Sequence, residues 1–391
     1  MADVHSHLYN DPAGGVESSI GPQLTKQYQQ RKALIDLVKE QYFTPLASVV
    51  DMPKNMGKKI VRYHYLPLLD DRNVNDQGIN AAGAKIENGN LYGSSKDIGT
   101  ITDKLPLVGE TGGRVNRVGF KRQTLEGSFA KYGFFTEYTK ESMDFDSDSE
   151  LWSHINREML RGANEITEDT LQIDLINAAG TNFFLGGATT TDTVDETEIT
   201  YKDFVDLDIT LTNNRTPKKT KVITGSRMVD TKTIGSARVM YIGSELIPTL
   251  LALEDMHDNP AFIPVEKYGA AGTILNGEIG AVYGFRIVVV PEMVKWAGAG
   301  ASTDSDEFFS TDNKLDVFPM LVVGDESFTT IGFQSGGKGN KFEIIHKKPG
   351  KTTADRNDPY GETGFMSIKW FYGFMAIRPE RIALIRVAAK Q

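Results

Sequence analysis

The stretch NGEIGAVYGFRIVVV, residues 276–290, decides between two classes of protein, because it sets three spaced glycines beside a β-branched run. A dinucleotide-binding loop carries its glycines after a strand and at the start of a helix, whose N-terminus receives the phosphate. Here Gly277, Gly280 and Gly284 precede the run Ile287 to Val290 in a G-x-x-G-x-x-x-G spacing, and no Walker lysine–hydroxyl pair follows. Glycines ahead of a strand serve tight turns and bulges. The segment predicts turn and strand, and it speaks against nucleotide chemistry.

Around it the pattern alternates between strand and helix over roughly 212–333. TKVITG and ARVMYIG predict strands, SELIPTLLALED predicts a helix, and the polar insertion GAGASTDSDEFFSTDN interrupts the series. Upstream, residues 144–180 predict one helix of about 28 residues and ~42 Å. Ser147 with Glu150 forms a capping box, and Trp152, Ile155, Met159, Ile166, Thr170 and Ile173 recur at three- and four-residue spacing down one side. A Thr- and acid-rich connector, GGATTTDTVDETE, leads to a shorter helix around Phe204, Leu207 and Leu211. At the other end FMSIKWFYGFMAI, a turn RPE and RIALIRV predict a twisted terminal hairpin.

The N-terminal third is different. Residues 1–30 have almost no periodic apolar pattern and predict an arm that is mobile unless a partner orders it. KQYQQRKALIDLVKEQYFTPLA predicts a helix with Leu34, Leu37 and Val38 on one face, ended before Pro45. KKIVRYHYLPLL alternates at Val61, Tyr63 and Tyr65 as a strand does, and GSFAKYGFFTEYTKE alternates at Ala130, Tyr132, Phe134 and Tyr138. Between them, Asp70 to Gly113 holds 44 residues with eight glycines and few large apolar side chains. A loop this long flanked by strands predicts a projecting β-arm whose contacts lie on another molecule.

The 391 residues exceed what one simple core organises, so two or more structural units are expected. With no cysteine, the chain forms neither a disulfide nor a Cys-ligated metal site, and it suits a reducing cytoplasm. Its apolar runs stop near ten residues, against the roughly 20 that span a bilayer, so it reads as soluble, unexported and without a membrane partner. The formal charge of -9 argues against a basic nucleic-acid grip. That charge is unevenly placed. Residues 58–125 carry 11 Lys+Arg against 7 Asp+Glu, residues 144–210 carry 3 against 16, and residues 334–391 carry 11 against 5. Solvated faces explain such blocks, and so does docking of one subunit's basic block on a neighbour's acidic one.

No constellation of catalytic residues emerges. Asp144, Asp146 and Asp148 in DFDSDSE resemble the start of a calcium loop, but Ser149 and Ile155 stand where glycine and glutamate are needed. Acidic residues at that place favour the positive N-terminus of the long helix instead. His5 and His7 are two possible ligands in an arm, which make no defined metal site, and His64, His154, His257 and His346 are scattered. IGSEL and VGDES lack the G-x-S-x-G elbow, and no HExxH occurs. The reading is a non-catalytic chain without cofactor or metal.

NMGKKIVRYHYLPLL, ILNGEIGAVYGFRIVVV and DPYGETGFMSIKWFYGFMAIRPERIALIRV resemble motifs of major capsid proteins of tailed bacteriophages with the Hong Kong 97 fold, nearest those of N-four-type podophages. The resemblance covers most of residues 45–391 and is most specific in the last two motifs. It implies an α+β capsid fold with an N-terminal arm at 1–57, an extended β-loop at 58–125 and an axial α/β domain at 212–333. The peripheral domain would hold the long spine helix at 126–211 and be completed by 334–391. It further implies a shell subunit that assembles with itself in hexamers and pentamers. Such a shell encloses double-stranded DNA without sequence specificity, works with scaffolding, portal and cement proteins, and is built in the host bacterial cytoplasm before residing in the virion. Lys85, Lys96 and Lys104 of the loop, with Asp144, Asp146, Asp148 and Trp152, become subunit-interface candidates, and Gly277, Gly280 and Gly284 structural turns. Rival readings are an encapsulin-like compartment, a phage tail component, which the long helix speaks against, and an enzyme, which no motif supports.

Overall fold

The computed structural model describes residues 41–52, 57–65, 79–80, 83–84, 108–110, 122–145, 151–223, 231–235, 237–268, 274–304, 306–333, 342–351, 354 and 358–391. Two sheets and one long helix organise them. A seven-stranded mixed sheet runs in the order Ile263–Pro264, Glu278–Val282, Phe285–Val289, Arg238–Ile242, Phe318–Val323, Ile382–Val387 and Thr181–Phe184. Its central strands RVMYI, FPMLVV and IALIRV are almost wholly buried, which a sheet covered on both faces requires.

Alternate residues of these strands enter two cores. Val239, Tyr241, Val288, Leu321, Val323, Ile382 and Leu384 face the long helix, together with Met366, Ile368 and Trp370. Met240, Ile242, Phe285, Ile287, Met320, Val322 and Ile385 face Phe204, Leu207 and Leu211 of the helix Tyr201–Asn213. That second helix begins at a Thr200–Asp203 capping box, in which the Asp203 carboxylate accepts the Thr200 N–H and hydroxyl.

The second sheet is built around the 14-residue strand Thr363–Ala376. The 18-residue strand Arg122–Thr139 pairs antiparallel along one side of it, and Lys59–Tyr65 extends that side. Phe342–Lys347 and Phe328–Phe333 share its other side, with Ser48–Met52 added in parallel at the edge. From Gly364 to Tyr372 the strand buries every second residue, as a sheet covered on one face does, and the parity then changes, with Gly373 and Met375 buried. Cover is provided by the helix Leu151–Asn177, 27 residues and ~40 Å long.

The glycines of residues 276–290 are set by backbone and close approach. Tyr283 and Gly284, at φ 38° and 78°, form the two-residue turn joining Glu278–Val282 to Phe285–Val289, which needs positive φ at both positions. Gly277, at φ 72°, lies where a Cβ would sit 2.9 Å from the Val289 carbonyl and 3.2 Å from the Tyr42 ring. Gly280 follows a register shift after Glu278, and a Cβ there would overlap the Phe262 ring.

Three expectations are corrected. The terminal hairpin does not form, because Thr363–Ala376 and Ile382–Val387 belong to different sheets. Between them Ile377 and Arg378 donate to the Ser327 carbonyl, and Gly324 donates to the Arg381 carbonyl, so two chain segments cross from sheet to sheet side by side. Alternating burial in the first strand against continuous burial in the second is the trace of that crossing in the sequence. Phe328–Phe333 joins the one-faced sheet, while Ile382–Val387 joins the two-faced one.

The long helix keeps the expected side only in its first half, where Met159 is buried and Ile155 packs against the core. Further on Ala163, Thr167, Leu171 and Leu175 are inside, whereas Ile166 and Ile173 are 45% and 48% exposed. Apolar counting missed this stripe because it includes Glu168 and Gln172, polar residues that are buried with partners elsewhere in the chain. Finally, SELIPTLLALED makes only a 3-10 turn, Ser244–Leu246, and a short helix, Ile247–Leu251. The chain then turns away as Asp255 accepts the N–H groups of His257 and Asn259. The predicted helix around Leu34, Leu37 and Val38, the Ser147–Glu150 capping box and most of the Asp70–Gly113 loop lie outside the described residues.

Candidate assembly interface

Residues directly opposite in an antiparallel pair share a face, so the registers fix the outer face of the one-faced sheet. Phe129 lies opposite Gly373, Lys131 opposite Phe371, Phe135 opposite Ser367 and Glu137 opposite Phe365. On the other flank Ile345 lies opposite Ser367 and Glu343 opposite Lys369. Phe129 and Phe371 meet edge to face at 5.6 Å, Lys347 sits 5.8 Å over the Phe365 ring, and Glu343 pairs with Lys369 at 2.9 Å. Phe135 is 65% exposed, Ile345 is 38% exposed, and none of these apolar side chains enters a core. This sheet face is closed at one end, where Ile331 and Met375 are buried, and at the other end the exposed Phe135 and Ile345 with the half-buried Phe365, edged by lysines, form a surface suited to protein contact.

The opposite face is closed by polar contacts as well as packing. Tyr372 donates to Asp174 of the long helix at 2.8 Å. Burial raises the Asp174 carboxyl, an effect the Tyr372 hydroxyl reduces, and burial with that same carboxylate raises Tyr372. At the rim Tyr138 meets His346 Nε2 at 2.6 Å, where burial and then Lys348 keep the imidazole below its usual range.

One buried carboxylate fixes the point where the N-terminal chain enters the fold. Glu168 accepts the N–H groups of Tyr42, Phe43 and Thr44 at 2.8, 2.6 and 3.1 Å, and the Thr44 hydroxyl as well. These are the free N–H groups at the start of the 3-10 turn Thr44–Leu46, so the long helix supplies its cap from 125 residues away in sequence. Phe43 then packs on Tyr241 at 5.0 Å, and Ser48 and Thr329 exchange hydroxyl-to-carbonyl bonds with the neighbouring strand.

A second exposed apolar group lies at the Ile263–Pro264 end of the seven-stranded sheet. Tyr201 meets Tyr283 at 5.6 Å, and Leu251, Met256, Ile263 and Tyr283 are exposed. Asp255 lies close enough to Tyr201 to help raise its hydroxyl pKa, after burial and Tyr283.

Of the interface candidates read from sequence, Asp144 is exposed in the short helix Lys140–Phe145, and Trp152 lies in the first turn of the long helix. Lys85, Lys96, Lys104, Asp146 and Asp148 lie outside the described residues. The outer aromatic face and Glu168 were missed. Phe129 and Phe135 in GSFAKYGFFTEYTKE occupy the parity opposite to Ala130, Tyr132 and Phe134, a signal that both faces of that strand are apolar.

A family model described as phage capsid protein matches residues 122–387. The major capsid protein of Pseudomonas phage KPP21 is 62% identical over 385 residues, covering 98% of this chain and 97% of the relative. Among solved structures, the capsid asymmetric unit of cyanophage Pam1 aligns with a TM-score of 0.56 at 13% identity, covering 100% of this chain and 99% of that one. The capsid of Ralstonia phage GP4 aligns with a TM-score of 0.55 at 10% identity, over 95% and 97% of the two chains.

Proposed function

We propose, from the premise that this chain belongs to the phage capsid protein family and is a structural subunit of a phage capsid shell, that it assembles through the outer face of its one-faced sheet in a Hong Kong 97-type lattice. The observation that carries this reading is the row Phe129, Phe135, Phe365, Phe371 and Ile345 outside every core. In this layout residues 1–57 are the arm and 58–125 the extended loop, which lies across a neighbour's peripheral domain. The peripheral domain is the one-faced sheet with its long helix. The axial domain is the seven-stranded sheet, including Thr181–Phe184, Tyr201–Asn213 and Ile382–Val387, around the ring axes of hexamers and pentamers. The exposed Leu251, Met256, Ile263 and Tyr283 then face a neighbouring axial domain.

Charge sets the register. The basic loop block and the acidic 144–210 block are complementary, which steers association more than it adds affinity. Each contact is modest, and their repetition around closed rings makes a stable shell. The shell encloses double-stranded DNA without reading its sequence, with scaffolding, portal and cement proteins as further partners and the host bacterial cytoplasm as the place of assembly. Net acidity suits a container that must release its genome.

Electron microscopy of the fast-sedimenting fraction from bacteria expressing the chain, alone and with neighbouring phage genes, tests this. Closed icosahedral shells are expected, and only small oligomers in both conditions would contradict it. Replacing Lys85, Lys96 and Lys104 by Glu is expected to impair shells while leaving the circular dichroism of the subunit intact. Normal shells from that variant would remove the loop-docking step.

A further inference from the structure

Arg386, on the strand Ile382–Val387, is held between two aromatic rings. Its guanidinium carbon lies 4.8 Å from the centroid of Phe184 and 5.0 Å from that of Trp296. Phe184 belongs to Thr181–Phe184, the last strand of the seven-stranded sheet, so this cage stands at an open sheet edge. Of the five N–H groups, one bonds to Asn182 Oδ1 at 2.9 Å, at the surface, and Nε is shut from solvent with no acceptor. Burial lowers the pKa of the group.

Three enclosed cations among the described residues are answered by carboxylates. Arg238 is paired with Asp208, Arg286 with Glu278 at 2.6 Å, and Lys295 with Asp316 at 2.7 Å. Arg386 has no carboxylate within ion-pair distance among the described residues. A desolvated cation without an anion is costly, and a planar guanidinium stacked between rings leaves only its edge to offer, which matches the two oxygens of a carboxylate.

We propose that Arg386 is a receptor for a carboxylate of a second copy of this chain, delivered at the Thr181–Phe184 edge when subunits assemble. The inference rests on the shell-subunit reading and goes beyond it by naming the side chain that assembly completes. A copy of the chain is the favoured source because acids outnumber bases by 52 to 43.

The test compares wild type with Arg386→Gln and Arg386→Lys. It reads the thermal midpoint of the unassembled subunit, the protein concentration at which DNA-free shells appear, and the stability of DNA-filled heads. The expected result is an unchanged or raised subunit midpoint for Arg386→Gln, with the concentration needed for empty shells raised about tenfold or more, as for loss of a charge-assisted hydrogen bond at each contact. Arg386→Lys, which keeps charge without the planar fork, should fall between. A lowered subunit midpoint that accounts for the assembly loss would make Arg386 a packing residue and overturn the proposal. Empty shells at the wild-type concentration would overturn it too. A change confined to DNA-filled heads would assign the site to phosphate and reject the carboxylate. Wild-type chain that forms no particle would fail the shell reading itself, a result distinct from all of these.

Discussion

The two sheets of this molecule are made from similar residues and are used differently. Phe318–Val323, Ile382–Val387 and Arg238–Ile242 have both faces inside, while Thr363–Ala376 and Arg122–Thr139 have one. In the seven-stranded sheet an aromatic side chain such as Phe285 stabilises the subunit itself. On the outer face of the other sheet Phe135 is 65% exposed and joins no core cluster among the described residues. The same chemistry thus serves folding in one place and is held in reserve for association in the other.

The largest effect that sharpens this contrast is in the two-faced sheet. Phe285→Ala should lower unfolding free energy by about 3–5 kcal/mol in denaturant titration, since a fully enclosed ring is replaced by a cavity. Next comes the carboxylate that joins the sheets to the N-terminal chain. Glu168→Ala leaves three N–H groups and a hydroxyl without an acceptor and should cost about 3 kcal/mol, measured the same way. Accelerated proteolysis near Tyr42 should accompany it, whereas a loss spread evenly over the chain would mean that Glu168 is not a local tie.

A smaller, pH-dependent effect is expected at the strap 295–317. Asp316 accepts Lys295 Nζ at 2.7 Å and the Gly298 N–H at 2.8 Å. Burial alone would raise its carboxyl, but those two groups together with the Thr311 side chain outweigh burial and hold it below the usual range. A depressed folded-state pKa means the contribution is present above the ordinary aspartate range and lost as pH falls through the folded value. Amide exchange in the strap should therefore rise in acid before the seven-stranded sheet opens, and Asp316→Asn should remove that early phase.

Much of this was legible in the sequence, and the failures have physical reasons. Residues 276–290 were readable because glycine order relative to a strand is a backbone matter that tertiary contacts do not alter. The shorter helix was readable because Phe204, Leu207 and Leu211 are apolar and buried at helical spacing. Ile166 and Ile173 misled because a helix with two apolar stripes does not announce which one packs, and the stripe that won carries Glu168. The terminal hairpin misled because RPE is a good local turn, while the partner of Ile382–Val387 is Phe318–Val323, roughly 60 residues upstream. The outer face is marked by aromatic residues at both parities of Arg122–Thr139, a pattern that an alternation search discards.

The smallest expected effect on the subunit carries the central claim. Phe135→Ser combined with Ile345→Ser changes two exposed positions and should leave the unassembled subunit within about 0.5 kcal/mol of wild type. The measurement to make is the yield of sedimenting shells from this double variant beside its thermal midpoint. An unchanged midpoint with shells lost or severely reduced is the predicted result. Wild-type shell yield would contradict the assignment of this sheet face to assembly.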